Sequence, residues 1–159
     1  YHLSIRALKD IIYTYETKGY YDNFAKKIFN HLNIKDQFGV RDFVYANDKT
    51  TIASLSKFIG EIALNKDEKA KNLLLNEAKY LARQTLSAYR KLKNKENVII
   101  ALRGGFLINA PFVEKALIEE LEPSIKDFTI NKSNQSPVKG AYYLSLLKLS
   151  KRWNYDWYK

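Results

Sequence analysis

NVIIALRGGFLINAP, residues 97–111, is the segment on which the expected fold depends. The apolar run at 98–102 is too short and too rich in β-branched residues for a buried helix, and a glycine pair and a helix start signal follow it. This order predicts a buried strand, a tight turn and a helix. In an open α/β sheet, ligands lie beyond the carboxyl end of such a strand, where glycines let the main chain approach a phosphate, a sugar or a ring. We therefore expect Gly104 and Gly105 to contact a ligand.

The chain before this segment is predicted to be mostly helical. Apolar residues at helical spacing predict amphipathic helices at 3–17, 21–32, 51–64 and 67–94. The third helix has several capping side chains between Asp48 and Thr51, and either Asn65 or Asp67 caps the fourth. The wide apolar face of the fourth helix predicts contact with more than one neighbour. Residues 42–45 are too few to assign and fit either a single helical turn or a strand.

The chain after the glycine pair is predicted to alternate helix and strand. A helix at 110–121 takes Asn109 as its cap and Pro111 in its first turn, where the missing amide has no cost. A second strand follows, with apolar residues at Ile125, Phe128 and Ile130. One helical crossover of this length joins parallel strands. A last helix is capped at 136–137, and its small pair at 140–141 is expected to allow close approach to another backbone.

Length and composition predict a single globular domain in a reducing compartment. The 159 residues suffice to bury a core, and 46% hydrophobic residues are typical of a folded chain. The absence of cysteine excludes disulfides, thiolate nucleophiles, iron–sulfur clusters and cysteine-type zinc sites, and we expect a cytoplasmic location. No apolar run approaches the roughly 20 residues that span a bilayer, so no membrane partner is expected. Because the chain has no methionine, Tyr1 is not a retained initiator, and we expect a piece of a longer protein.

The net charge of +10 raises the question of a nucleic-acid partner, since lysine and arginine release counterions when they meet phosphates. The basic residues, however, are spread along the chain and mixed with acids, as at 66–71. No arginine-rich block or nucleic-acid-binding motif is present. The pattern favours a solvated, lysine-rich surface, and no nucleic-acid partner is expected.

The order of motifs resembles one family. The Arg-Gly-Gly motif at 103–105 follows a strand, and Pro-Val-Lys-Gly-Ala at 137–141 opens a helix after the next strand. This combination is similar to the carboxyl-terminal half of the BadF/BadG/BcrA/BcrD ATPase family, which includes the N-acetylglucosamine kinases and belongs to the sugar kinase, Hsp70 and actin superfamily. Residues 1–8 and 51–55 resemble helical segments of the same family, so the likeness covers about residues 1–150.

This resemblance implies a ribonuclease-H-like, actin-like α/β lobe with a large helical part. Residues 1–95 would be mostly helical, 97–150 would be strand-helix-strand-helix, and 151–159 would be an aromatic tail. The amino-terminal lobe of such a two-lobe kinase, with its phosphate loop, sugar site and catalytic aspartate, would lie outside this chain and be its partner. ATP and magnesium would be the cofactors and an amino sugar the substrate. The missing cysteine disfavours the dehydratase-activating branch, which holds an iron–sulfur cluster.

The resemblance also implies that the turn after the first strand contacts the adenosine of ATP, through Arg103, Gly104, Gly105, Phe106 and Asn109. From the residues alone, each position keeps an alternative. The glycine pair also fits a tight turn that needs positive φ and touches no ligand, and Arg103 fits either a phosphate contact or an ion pair with a surface acid. Asn109 fits a helix cap better than a ligand contact, and Gly140 and Ala141 fit packing better than binding.

Two other functions stay open at this point. One is an ATPase or nucleotide-dependent regulator of the same superfamily without a sugar substrate, and the other is a basic helical binding module. His2 and His31 are isolated, and the acids near 114–122 fit an exposed helix face, so no catalytic or metal site is assigned to this chain. The aromatic tail fits packing on its own domain or on a second copy in a homodimer better than sugar stacking.

Overall fold

The computed structural model describes residues 1–132 and 136–149, so the aromatic tail at 151–159 lies outside the described residues. Within them the order of elements is α1 (His2–Lys18), α2 (Asn23–Leu32), α3 (Gln37–Ala46), α4 (Lys49–Leu64), α5 (Glu68–Arg90), β1 (Val98–Leu102), α6 (Gly105–Asn109), α7 (Val113–Leu121), β2 (Phe128–Lys132) and α8 (Pro137–Leu149). No described helix is both long and apolar enough to cross a membrane.

Aspartate side chains fix where four of the first five helices begin. Each carboxylate accepts a hydrogen bond from an amide of the first turn, which has no partner inside the helix. The four N-caps are Asp22 for α2, Asp36 for α3, Asp48 for α4 and Asp67 for α5. The predicted helices are confirmed to within a few residues at their ends, and Asp67 rather than Asn65 caps α5.

The helix α3 contains the segment that the sequence left unassigned. Asp36 accepts hydrogen bonds from the amides of Phe38 and Gly39, and Val40 is fully buried. Gly39 looks like a loop residue in the sequence but lies inside the helix. A Cβ at this position would come within 2.8 Å of the Ile34 Cβ, so glycine serves close packing here and not a turn.

The strands β1 and β2 confirm the predicted parallel pair. They pair in register from Val98 opposite Phe128 to Leu102 opposite Lys132, and the described part of the sheet contains these two strands only. The second strand begins later than expected. Ile125 precedes it, because the amide of Ile125 still donates to the Leu121 carbonyl at the end of α7.

The prediction that β1 is a buried strand is confirmed for one of its faces only. Ile100 and Leu102 join the core with Leu117 and Leu121 of α7, but Ile99 on the opposite face is 65% exposed. The strand alternates because helices cover one face of the sheet in the described part of the chain. A two-stranded parallel sheet is too small to define a ribonuclease-H-like lobe, and that fold stays a prediction.

The helix predicted at 110–121 corresponds to α7, which begins later, at Val113, and the short helix α6 before it was not predicted. The residue before a proline is driven out of the helical region, and Ala110 before Pro111 is extended, with φ −72° and ψ 127°. Asn109 is therefore not the cap of α7. It ends α6, where its Nδ2 donates to the Gly105 carbonyl at 2.9 Å, and Phe112 occupies the N-cap position of α7.

The helix α8 begins as predicted but does not pack as predicted. The Ser136 hydroxyl accepts a hydrogen bond from the Val138 amide at 3.3 Å, which is the expected cap. No heavy atom of the described structure beyond its own chain neighbours lies within 4 Å of a Cβ built on Gly140. Among the described residues the close approach expected at Gly140 and Ala141 is therefore not found, and both residues are exposed.

Candidate functional site

A groove of about 660 Å³ lies between α4 and the segment that runs from α6 to Pro111. Its first wall is one face of α4, with residues at helical spacing from Thr50 to Leu64. Its second wall consists of Gly105, Phe106, Asn109, Ala110 and Pro111. The volume is in the range of small-molecule sites, roughly 300–1,000 Å³. The groove is thus large enough for a ligand of nucleoside size.

Three of the five predicted contact residues line this groove. Gly105, Phe106 and Asn109 belong to its second wall, whereas Arg103 and Gly104 lie beside it. The amide of Asn109 holds the Gly105 carbonyl through Nδ2, so its oxygen is the atom available at the groove. The side chain of Phe106 is half-buried and presents an aromatic surface there.

The two glycines of the pair have different conformations. Gly104 has φ 93° and ψ 149°, a backbone conformation that residues other than glycine rarely adopt. Gly105 has no positive φ and begins α6, and a Cβ on it would meet only Nδ2 of Asn109, at 3.8 Å. The positive φ expected of the pair therefore belongs to Gly104, and the groove-lining position is Gly105.

Arg103 forms no ion pair with a described acid, and its contact with a phosphate stays a prediction. Its Nη1 donates to the carbonyl oxygens of Leu102 and Asn131, both at 2.9 Å, and its Nη2 donates to Oδ1 of Asn131 at 3.2 Å. These acceptors lie at the carboxyl ends of β1 and β2. The guanidinium therefore joins the two strands and contacts neither a surface acid nor the groove.

The α4 wall was not predicted from the sequence. Thr50, Ser54, Lys57 and Glu61 repeat at three- and four-residue intervals and form an exposed polar stripe along the groove. The Ser54 hydroxyl donates to the Thr51 carbonyl at 2.7 Å and keeps its lone pairs for another partner. The signal in the sequence was this stripe beside the small residues Ala53 and Gly60, but nothing local indicated which element it would face.

The chemistry of the groove suits a flat ligand that is apolar on its faces and polar at its edges. Small residues, Ala53, Gly60 and Ala110, leave room between the walls, and Phe106 supplies a ring. Hydroxyl groups, one lysine and one glutamate lie along the rim. Pockets of this kind bind by apolar contact and use a few polar groups to fix orientation. A purine nucleoside has these properties.

A cluster of ion pairs among the first helices lies away from the groove. Lys69 of α5 contacts Asp10 of α1 at 2.5 Å and Asp22, the α2 cap, at 2.7 Å. Burial lowers the pKa of Lys69, but hydrogen bonds to the two carboxylates outweigh it and hold that pKa above its usual value. Burial raises the pKa of Asp22, but the bond from Lys69 and the Ala25 amide hold it below its usual value. The cluster joins three helices and is structural.

Glu77 of α5 is a charged residue that is buried in the core, with only 4% of its surface exposed. It accepts hydrogen bonds from Nδ1 of His2 at 2.7 Å and from Arg6 at 3.0 Å, so its charge is compensated within the helical part. Among residues 1–132 and 136–149 no group of three His, Asp or Glu side chains is placed to hold a metal ion. No magnesium ligand set is therefore assigned to this chain.

The groove joins two segments that are about fifty residues apart in the sequence, and it contains most of the predicted contact residues. Comparisons of the chain with protein-family models, with curated proteins and with solved structures gave no match.

Proposed function

We propose that this chain is the carboxyl-terminal, adenosine-contacting lobe of an ATP-dependent kinase that acts on an amino sugar such as N-acetylglucosamine. The observation that carries the proposal is the position of Gly105, Phe106 and Asn109, which line one groove of nucleoside size with a polar face of α4 opposite them. The resemblance of the motifs at 103–105 and 137–141 to sugar kinases supports the choice of ATP and of the sugar.

In this proposal the purine lies between Phe106 and the small residues of α4, and Gly105 lets the ligand approach the main chain. Ser54 and the Asn109 amide oxygen offer hydrogen bonds to the polar edge of the nucleoside. Lys57 is exposed at the rim and forms no ion pair with any described residue, so its ammonium is available to a ribose or a phosphate oxygen. These residues bind and orient the nucleotide.

ATP supplies the phosphoryl group, and magnesium bound to its phosphates neutralises their charge. The base that deprotonates the sugar hydroxyl and the loop that holds the γ-phosphate are expected in the amino-terminal lobe. Closure of the two lobes would then exclude water from the reaction. This chain contributes nucleotide affinity and position, so binding and not turnover is its own measurable property.

The test is calorimetric titration of the 159-residue chain with ATP, with adenosine and with inorganic tripolyphosphate. Because the groove is of nucleoside size, we expect ATP and adenosine to bind with similar affinities, with Kd of about 0.1–1 mM, and tripolyphosphate not to bind. Binding of tripolyphosphate as tight as that of ATP, or no binding of adenosine at about 10 mM, would contradict the proposal.

The intact protein then separates a kinase from a nucleotide-dependent regulator of the same superfamily. A kinase releases ADP faster when N-acetylglucosamine is added, and the sugar becomes phosphorylated. A regulator hydrolyses or binds ATP without dependence on the sugar. The basic-module alternative predicts micromolar binding to nucleic acid that weakens steeply with added salt, and fluorescence anisotropy with duplex and single-stranded oligonucleotides measures it.

A further inference from the structure

The two walls of the groove approach each other closely at Gly60 and Pro111. Gly60 is a buried residue of α4, and a Cβ built on it would lie 3.1 Å from Cδ and 3.5 Å from Cγ of Pro111. Real Cβ atoms seldom approach a neighbour this closely, so glycine is what allows α4 and the α6–α7 connection to meet here. The distance between the walls is set by this contact.

The next residue is held in an unusual conformation. Phe112 has φ 66°, and a bulky residue in the left-handed region is a genuine outlier. Its surroundings fix it on both sides. Nζ of Lys71 lies 5.7 Å from the centre of its ring, its carbonyl accepts the Ala116 amide of α7, and Val113 after it is fully buried.

We infer that Gly60, Pro111 and Phe112 form a rigid corner that presets the width of the groove before any ligand binds. The three are positioning residues: Gly60 and Pro111 fix how close the walls come, and Phe112 fixes the direction in which the chain leaves α6. A preformed site loses less conformational freedom on binding. The identity of the ligand rests on the proposed function, but the role of the corner is a property of the free protein.

Hydrogen exchange of the free chain tests the corner directly. The amides of Ile108 and Ala110 donate to the carbonyls of Gly104 and Phe106, so their exchange reports whether α6 is held in place. We expect Gly60→Ala to accelerate exchange of both amides about three- to tenfold, because the added methyl displaces Pro111. Phe112→Gly, which frees the turn without adding atoms, should accelerate the Ala110 amide to a similar extent.

Gly140→Ala is the matched control for Gly60→Ala. It makes the same change inside a helix at a position where nothing lies within 4 Å of the new methyl. It should leave both amides unchanged, and circular dichroism should show all three variants folded. If exchange of Ile108 and Ala110 in Gly60→Ala and in Phe112→Gly equals that of the control, the corner does not hold α6 and the inference is wrong.

Titration with ATP separates this inference from the proposed function. Where both hold, Gly60→Ala and Phe112→Gly weaken ATP binding about three- to tenfold and Gly140→Ala does not. If exchange changes as expected but the parent chain binds no adenosine nucleotide, the corner is supported and the function is refuted. If the parent binds ATP and the two corner variants change neither the exchange of Ile108 and Ala110 nor the ATP affinity, the function is supported and the corner is refuted.

Discussion

Adjacent residues of identical type have separate roles in the turn after β1. Gly104 supplies a backbone conformation, with φ 93°, and Gly105 supplies space beside the groove. Two consecutive glycines in a sequence do not indicate which of them carries the positive φ, so the two roles could not be separated from the sequence. Substitutions at Gly104 therefore test the turn, and substitutions at Gly105 test the groove.

Replacing Gly104 with alanine should destabilise the chain by about 1–3 kcal/mol, the cost of a side chain in this region of φ and ψ. Gly105→Ala should change stability by less than about 1 kcal/mol, since α6 begins there and alanine favours a helix. Urea unfolding followed by circular dichroism measures both. Equal losses in the two variants would show that the turn does not depend on the conformation of Gly104.

A larger side chain at Gly105 tests the groove. Gly105→Val should weaken ATP binding by about 1–3 kcal/mol, because its methyl groups occupy space that the purine or ribose needs. In the proposed two-lobe kinase the sugar affinity should stay nearly unchanged. Calorimetry measures the affinity, and Lys95→Ala at an exposed position is the control. Because Gly105 has no positive φ, a loss of binding is not attributable to backbone strain at that residue.

At the scale of elements, Lys69 is the connection among the first helices. Its ammonium reaches from α5 to Asp10 on α1 and to Asp22 at the start of α2, and it lies 5.5 Å from the centre of the Phe24 ring. Its side chain is partly exposed, so its contribution is reduced by solvent. Both carboxylates lose their shared cation if it is removed.

Lys69→Met should lower the free energy of unfolding by about 1–2 kcal/mol at pH 7, after allowance for the partial exposure. The exposed residue Lys9 of α1 offers the control Lys9→Met, which should cost less than about 0.5 kcal/mol. Urea unfolding of the two variants and the parent gives the comparison. If Lys69→Met lowers the free energy of unfolding no more than Lys9→Met does, the cluster does not stabilise the fold.

The same cluster predicts how stability changes with pH. The pKa of Asp22 is lowered from 3.8, so its contribution is present above that value and is lost as the pH falls through the lower folded value. The pKa of Lys69 is raised from 10.5, so its contribution is present below that value and is lost as the pH rises through the higher folded value. Thermal midpoints measured across the acidic and the alkaline pH range should depend less on pH in Lys69→Met than in the parent.

At the scale of the whole molecule, most helices and strands could be predicted from the sequence, but little of how they pack against one another could be. Helical spacing and the capping aspartates located four of the first five helices, and β-branched residues located β1. The helix α3 was missed because Gly39 looks like a loop, although its role is contact with Ile34. The short helix α6 was not predicted, and α7 begins three residues later than expected because Ala110 before Pro111 is extended.

Only one wall of the groove, the one that contains α6, could be predicted from the sequence. The turn and α6 are adjacent in sequence, so a local motif marks Gly105 and Phe106. The α4 wall comes from residues about fifty positions earlier, and its polar stripe resembles any solvated helix face. The packing of Gly60 against Pro111 brings the two walls close to each other, and no local pattern specifies such a contact.

A further prediction concerns the catalytic activity of the 159-residue chain by itself. We expect it not to phosphorylate N-acetylglucosamine, because the groups that activate the sugar hydroxyl and hold the γ-phosphate are predicted outside it. Radiolabelled ATP and N-acetylglucosamine, followed by chromatography of the sugar, measure the transfer. Phosphorylated sugar above a buffer control would show that the chain contains a complete active site.

The uncovered face and edges of the small sheet have a consequence for how the chain behaves in concentrated solution. β1 is apolar, Ile99 is 65% exposed, and in the described part of the chain only one of its two edges is paired. Such strands join the same strand of another molecule during refolding, and aggregation competes with folding as concentration rises. Refolding yield from urea should therefore fall with protein concentration, and Ile99→Lys should raise the yield while the thermal midpoint stays within about 3 °C.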